Sequence, residues 1–173
     1  MIIKLAGACM VLLAASWAGF FLARNYRERP QQIRQLRSAL SLLETEIGYG
    51  TRPLIEACEA IAERMDGAIS AIFARCAENL KQMDGASTYE CFQQAIEQQW
   101  PHTTMKKPEK LVLLHFCQTL GRSDREDQLQ HVRVAKSNLE VEEMKAREEQ
   151  GQYEKMCKTV GILCGVLIII LMY

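Results

Sequence analysis

Hydrophobic positions crowd both ends of the chain and thin out between them. Leu5 to Ala23 contains no Asp, Glu, Lys or Arg, Thr159 to Tyr173 contains none, and nearly every charge lies in the residues that separate them. At about 1.5 Å rise per residue the first run makes a helix of about 28 Å, close to the roughly 30 Å of hydrocarbon in a bilayer. The second reaches about 22 Å on the same rise, so it is the shorter candidate. Lys158 can snorkel outward, and Met156 and Cys157 extend the apolar part, which keeps a span possible at small mismatch cost. The pattern predicts a membrane helix at each end.

Between the ends the hydrophobic period is helical throughout. Ile33, Leu36, Leu40, Leu43 and Ile47 follow a three-four spacing and predict a helix from about Gln31 to Ile47, stopped by Gly48 and Gly50. Pro53 suits the first turn of a second helix, whose stripe is Leu54, Cys58, Ile61 and Met65, with Asp66-Gly67 as its stop. Ile69, Ile72, Phe73, Cys76, Leu80 and Met83 predict a third, ending at Asp84-Gly85. In the fourth, Tyr89, Phe92, Ile96 and Trp100 share a face, Ser87 and Glu90 have capping-box spacing, and Pro101 closes it.

Leu111 to Leu120 is apolar on almost every side, and this predicts the central helix of the bundle, with His115 the most buried of the histidines. Ser123 and Glu126 form a second capping-box spacing at the start of a sixth helix, which runs through Leu129, Val132, Ala135 and Leu139 and fades after Met144. From Lys145 to Lys155 the chain is polar all round, which predicts a solvated stalk weakened at Gly151. The implied organisation is an N-terminal span and basic flank (1–29), a helical bundle (30–144), a charged stalk helix (145–157) and a C-terminal span (158–173).

Charge decides which side of the membrane the bundle faces. Arg24, Arg27, Arg29, Arg34 and Arg37 follow the first span against Lys4 before it, and Lys145, Arg147, Lys155 and Lys158 precede the second. Short flanks rich in Lys and Arg stay in the cytoplasm, so the middle is expected inside and both termini outside. A signal peptide fits poorly, because Lys4 would be its whole charged region and no small-residue cleavage site precedes Arg24. The stretch Ala6-Gly7-Ala8-Cys9 lies too early for a lipoprotein signal.

Composition excludes more than it suggests. Net charge is zero, and the middle segment carries all 21 acidic residues with 20 of the 21 basic ones, so no basic field points to nucleic acid. Seven cysteines without a C-x-x-C pair suggest neither a disulfide framework nor a zinc site. Most are expected to be small core residues. His102, His115 and His131 lack metal-ligand spacing, and no phosphate loop, dinucleotide fingerprint or nucleophile elbow occurs. No catalytic residue, cofactor or metal is expected, and the chain reads as a non-enzyme.

Two polar clusters stand out as candidate partner surfaces. Glu44 and Glu46 near the end of the first helix can be brought beside Glu56 and Glu59 of the second, either as a solvated face or as a patch for a basic partner. Arg122, Asp124 and Arg125 lie in a helix junction that can aim charge at another protein.

The segments Leu43-Glu44-Thr45-Glu46-Ile47-Gly48-Tyr49 with Pro53-Leu54-Glu56-Ala57, and Leu120-Gly121-Arg122-Ser123-Asp124 with Gln128, resemble the stage III sporulation protein AB family of endospore-forming bacteria. The resemblance covers nearly the whole chain. It implies an all-α, antiparallel six-helix bundle similar to the cytoplasmic domains of the type II secretion F-protein and the type IV pilus platform protein, flanked by two transmembrane helices. Leu120, Gly121 and Ser123 resemble the junction between the last two bundle helices of those proteins. Unlike the larger relatives, this chain has one such domain, and a platform built from it would call for a homo-oligomer.

The same resemblance implies a place in the mother-cell membrane around the forespore. There the protein would be a platform component of the connecting channel, beside a secretion-type ATPase (stage III sporulation protein AA-like) and other proteins of the same assembly. The expected role is docking rather than hydrolysis, with the stalk as lever. The alternative from a different class is a membrane-tethered helical adaptor or signalling protein unrelated to secretion.

Overall fold

The computed structural model describes the backbone of residues 2–49, 52–82, 85–120 and 124–172, and the side chains of 24–49, 52–82, 85–120, 124–156 and 159–160. The described residues form six α-helices, α1 (Ile2–Tyr49), α2 (Leu54–Arg64), α3 (Gly67–Lys81), α4 (Thr88–Gln99), α5 (Lys107–Cys117) and α6 (Arg125–Met172), with a 3-10 turn at Trp100–His102. No strand occurs among the described residues. The chain divides into two compact units, Arg29–Met144 and the pair Met1–Glu28 with Lys145–Tyr173.

In the Arg29–Met144 unit the expected stripes are the core. Ile33, Leu36, Leu40 and Leu43 of α1 are fully buried, as are Cys58 of α2, Ile69 and Cys76 of α3, Ile96 of α4 and Val132 and Leu139 of α6. Burial of each large aliphatic side chain contributes about 1.5–3 kcal/mol, and this offsets the entropy of fixing short helices that would not form alone. Helices α2 and α3 pack on each other, and α3 packs on α4. Asn79 and Cys91 lock α3 to α4: Asn79 Nδ2 donates to the Cys91 carbonyl at 3.0 Å, and Cys91 Sγ donates back to the Asn79 carbonyl at 3.6 Å.

Local signals end the helices as their chemistry requires. Ser87 and Glu90 form the expected capping box, with the Ser87 N–H donating to Glu90 at 2.7 Å and the Glu90 N–H to Ser87 Oγ at 3.3 Å. Gly67 opens α3 with φ +67°, a left-handed conformation that glycine adopts without a Cβ penalty. At the start of α6 the described cap is Asp124, whose Oδ1 accepts from the Asp127 N–H at 2.9 Å; the expected cap Ser123 lies outside the described residues.

Four expectations are corrected. Helix α1 does not start near Gln31 but runs through Pro30, which is buried. Proline inside a helix removes one N–H bond and costs about 3 kcal/mol, so packing of the neighbouring turns has to offset it. Helix α5 is not the central helix: only Glu109, Leu113, Phe116 and Cys117 are buried, Leu111 is half exposed and His115 faces solvent. Residues 118–120 form a turn rather than its last residues. The apolar run therefore uses one face only, Leu113, Phe116 and Cys117, in line with buried Glu109 one turn earlier.

The stalk also departs from expectation. Helix α6 continues without a break through Gly151, and within its unit it has an inward side. The Tyr153 ring stacks on Tyr26 of α1 with centroids 4.7 Å apart and planes 19° from parallel. Ala146 is buried as well. The charged sequence hid this side because only small or amphipathic residues compose it.

Among the described residues no helix is long and apolar enough to cross a membrane. The two expected spans, 5–23 and 159–173, lie outside the residues whose side chains are described, apart from Thr159 and Val160.

Candidate partner-docking site

Helices α1 and α6 are joined by charged side chains whose order fixes an antiparallel pairing. Towards the C-terminal end of α1, Glu44 accepts from Arg133 Nε at 2.8 Å and Lys136 Nζ at 2.9 Å. Earlier in α1, Arg34 Nε and Arg37 Nη1 donate to Glu143 at 3.1 and 2.8 Å, and Arg37 pairs with Glu140 at 2.9 Å. The two cations beside Glu44 hold its carboxyl below the usual carboxylate range, Lys136 first and Arg133 second.

A buried charge sits next to this seam. Arg29 and Glu109 are almost wholly removed from solvent, and Arg29 donates through Nε and Nη2 to Glu109 Oε1 at 3.0 and 2.5 Å. The other carboxylate oxygen accepts from the Lys106 N–H at 2.9 Å, and Glu142 lies 4.0 Å from Arg29. Both oxygens of the buried acid thus have donors, which burial of a charge demands. The arginines read as a topology signal are structural: Arg29, Arg34 and Arg37 each hold an acid of α5 or α6.

Where α1 ends, α2 begins and α6 begins, the surface folds into a groove of about 300 Å³. Leu43, Ile47, Leu54, Ala57 and Leu120 give it an apolar floor, and Glu46, Arg52, Arg125 and Gln128 give it a polar rim. Arg125 Nε donates to the Ile47 carbonyl at 2.9 Å, which satisfies one of the acceptors left at the end of α1 and pins the start of α6 against it. Arg52 Nη1 stands 3.8 Å from Glu46.

The sequence candidates meet here only in part. Glu46 and Arg125 line the same groove, although they came from separate clusters. Glu44 points to α6 as described, Glu59 pairs with Lys81 of α3, and Glu56 is exposed. The four glutamates therefore do not make one bare carboxylate patch, since basic side chains of the same chain are placed against three of them. Asp124 is occupied as a helix cap, and Arg122 lies outside the described residues. Arg52 was missed; its place one residue before Pro53, at the mouth of a helix junction, was the available signal.

A second groove, of about 230 Å³, lies between α5 and α6 and contains both His115 and His131 with Asn138. Among the described residues no group of three or more His, Cys, Asp or Glu could hold a metal. Cys58, Cys76, Cys91 and Cys117 are buried free thiols, and burial pushes the Cys58 thiol up to about 12, and those of Cys76 and Cys117 higher still. They are core residues, as expected.

Comparison with known proteins fits this arrangement. The family model described as stage III sporulation protein AB matches residues 4–173. The chain belongs to the stage III sporulation protein AB family. A member from Bacillus subtilis (strain 168) is 41% identical over 171 residues, covering 98% of this chain and 99% of its own. A solved structure of stage III sporulation protein AB superposes with a TM-score of 0.69 at 38% identity, covering 72% of this chain and 98% of that one. The stage III sporulation protein AB motifs quoted from the sequence supply much of the groove: Leu43, Glu46, Ile47, Leu54, Ala57, Leu120 and Gln128.

Proposed function

We propose that this protein is a non-enzymatic membrane platform of the channel between mother cell and forespore, with a type II secretion F-protein-like bundle that couples a cytoplasmic secretion-type ATPase to the membrane assembly. One observation carries the reading. Helices α1 and α6 are each 48 residues long and each supplies residues both to the helical bundle and to one of the terminal apolar segments. The same two helices that a docked partner would push on are thus those expected to enter the membrane. Ion pairs from Glu44, Arg34, Arg37 and Glu143 join α1 to α6 within the bundle, so displacement of one helix loads the other.

The remaining Lys and Arg of the flanks, Arg24, Arg27, Lys145, Arg147, Lys155 and Lys158, support a cytoplasmic bundle with both termini outside.

The test uses the full-length chain in a Bacillus subtilis strain lacking its own stage III sporulation protein AB. The expected results are restored sporulation, recovery of the chain in the membrane fraction, and co-purification of the ATPase. Single reporters Ser38→Cys, Thr88→Cys and Tyr173→Cys in a background without native cysteines should give labelling by an impermeant thiol reagent at 173 alone. Restored sporulation without ATPase association would sink the platform reading in favour of an adaptor role.

A further inference from the structure

The groove between α1, α2 and the start of α6 has the make-up of a pocket for part of another protein. Its floor is aliphatic, and its volume of about 300 Å³ is at the lower end of ligand sites, room for one or two side chains rather than a cofactor. Two arginines flank that floor with donors to spare. Arg125 uses Nε on the Ile47 carbonyl, and its two terminal nitrogens have no acceptor among the described residues. Arg52, half exposed, stands too far from Glu46 for a hydrogen bond.

Tyr49, in the last turn of α1 with Glu46 and Ile47 of the rim and floor, projects with 75% of its surface exposed. An exposed tyrosine and two arginines around an aliphatic floor are the residue types that dominate binding energy at protein interfaces. Glu46 sets the sign on one side of the rim. It repels a second acid near Arg52 and leaves Arg125, already held in place by its backbone bond, as the better seat for a carboxylate. A guanidinium fork with two free nitrogens takes a carboxylate in bidentate fashion.

We infer that this groove receives an extended segment of a partner protein in which a bulky apolar side chain stands beside an acidic residue. The apolar side chain fills the floor, the carboxylate pairs with Arg125, and Tyr49 covers the segment from outside. This rests on the platform reading above, in which the partner is the ATPase.

The test places a benzophenone photocrosslinker at Tyr49 of the full-length chain in the complemented strain, and at exposed Gln94 on α4 as control. The expected result is a crosslink to an apolar residue of the ATPase next to an acid, from Tyr49 and not from Gln94. Arg52→Glu with Arg125→Glu should cut ATPase recovery about tenfold, Arg52→Lys with Arg125→Lys should lose less because charge is kept while the fork is lost, and reversing the partner's acid to arginine should restore the first pair. Melting temperature reports on folding; should the double reversal fail to fold, Arg125→Gln replaces it, since that exposed side chain then loses its guanidinium fork without gaining a repelling charge. ATPase recovery undiminished by charge reversal, or crosslinking from Gln94 instead, overturns the groove and leaves the platform reading standing. No ATPase association by the unaltered chain overturns both.

Discussion

Arg29 closes on Glu109 through two nitrogens, at 3.0 and 2.5 Å from one carboxylate oxygen, across 80 residues of sequence. Both side chains are buried, so each makes the other tolerable in a low-dielectric core. Removing one partner strands a charge. Arg29→Ala or Glu109→Ala is expected to destabilise the full-length protein by about 3–5 kcal/mol, whereas Arg29→Met with Glu109→Leu should come out near neutral. Thermal melting in detergent, followed by circular dichroism, measures all three; a double-variant loss equal to the sum of the two single losses would show that the pair is not coupled.

Glu44 makes part of the stability depend on acid. Its carboxyl is held below the ordinary value of 4.5 by Lys136 and Arg133. Its contribution is therefore fully present above the unfolded-state pKa and is lost as pH falls through the lower folded-state value. Glu44→Gln should lower the melting temperature at neutral pH, and its deficit against the parent should shrink as the pH falls below the ordinary carboxylate value of 4.5. A deficit independent of pH would mean that the carboxylate charge is not what α6 recognises.

The buried thiols should be inert until the bundle opens. In a variant lacking Cys9, Cys157 and Cys164, the remaining Cys58, Cys76, Cys91 and Cys117 are all buried, and the Cys58 thiol is raised to about 12 by desolvation and the nearby Glu59 charge. Since the thiolate is the reactive form, a chromogenic disulfide reagent at mildly alkaline pH should count none of the four in the folded protein and all four after guanidinium chloride is added. Rapid modification of even one under native conditions would contradict the packing of α2, α3, α4 and α5.

Gly67 tests a backbone requirement free of packing. With φ at +67° and nothing within 4 Å of a Cβ built there, Gly67→Ala meets no steric neighbour and costs only the left-handed conformation. A loss of about 1–2 kcal/mol is expected, against a few tenths for a serine-to-alanine change at exposed Ser137. No loss at Gly67 would mean that α3 can start in a different conformation.

Much of the fold was legible because helical period reports which residues of one segment share a face. The stripes of α1, α2, α3, α4 and α6, the Ser87 capping box and the core cysteines follow from spacing and local hydrogen bonding alone. Where a segment was apolar all round, as in α5, period had nothing to discriminate, and packing decided which side turned inward. The candidate site was legible only as separate pieces. Glu46 and Arg125 were singled out in different clusters, and Arg52 was not singled out at all.

What the sequence determined by itself is the set of helices, their buried faces and the family motifs, since each depends on neighbours within a few residues. Tertiary structure decided the rest: that Arg29 meets Glu109, that Glu44 meets Arg133 and Lys136, and that Arg125 closes on the Ile47 carbonyl to complete the groove. Those contacts join residues about 80 to 90 positions apart, and period says nothing about which helix faces which. Only packing brings the charges close enough to choose their partners.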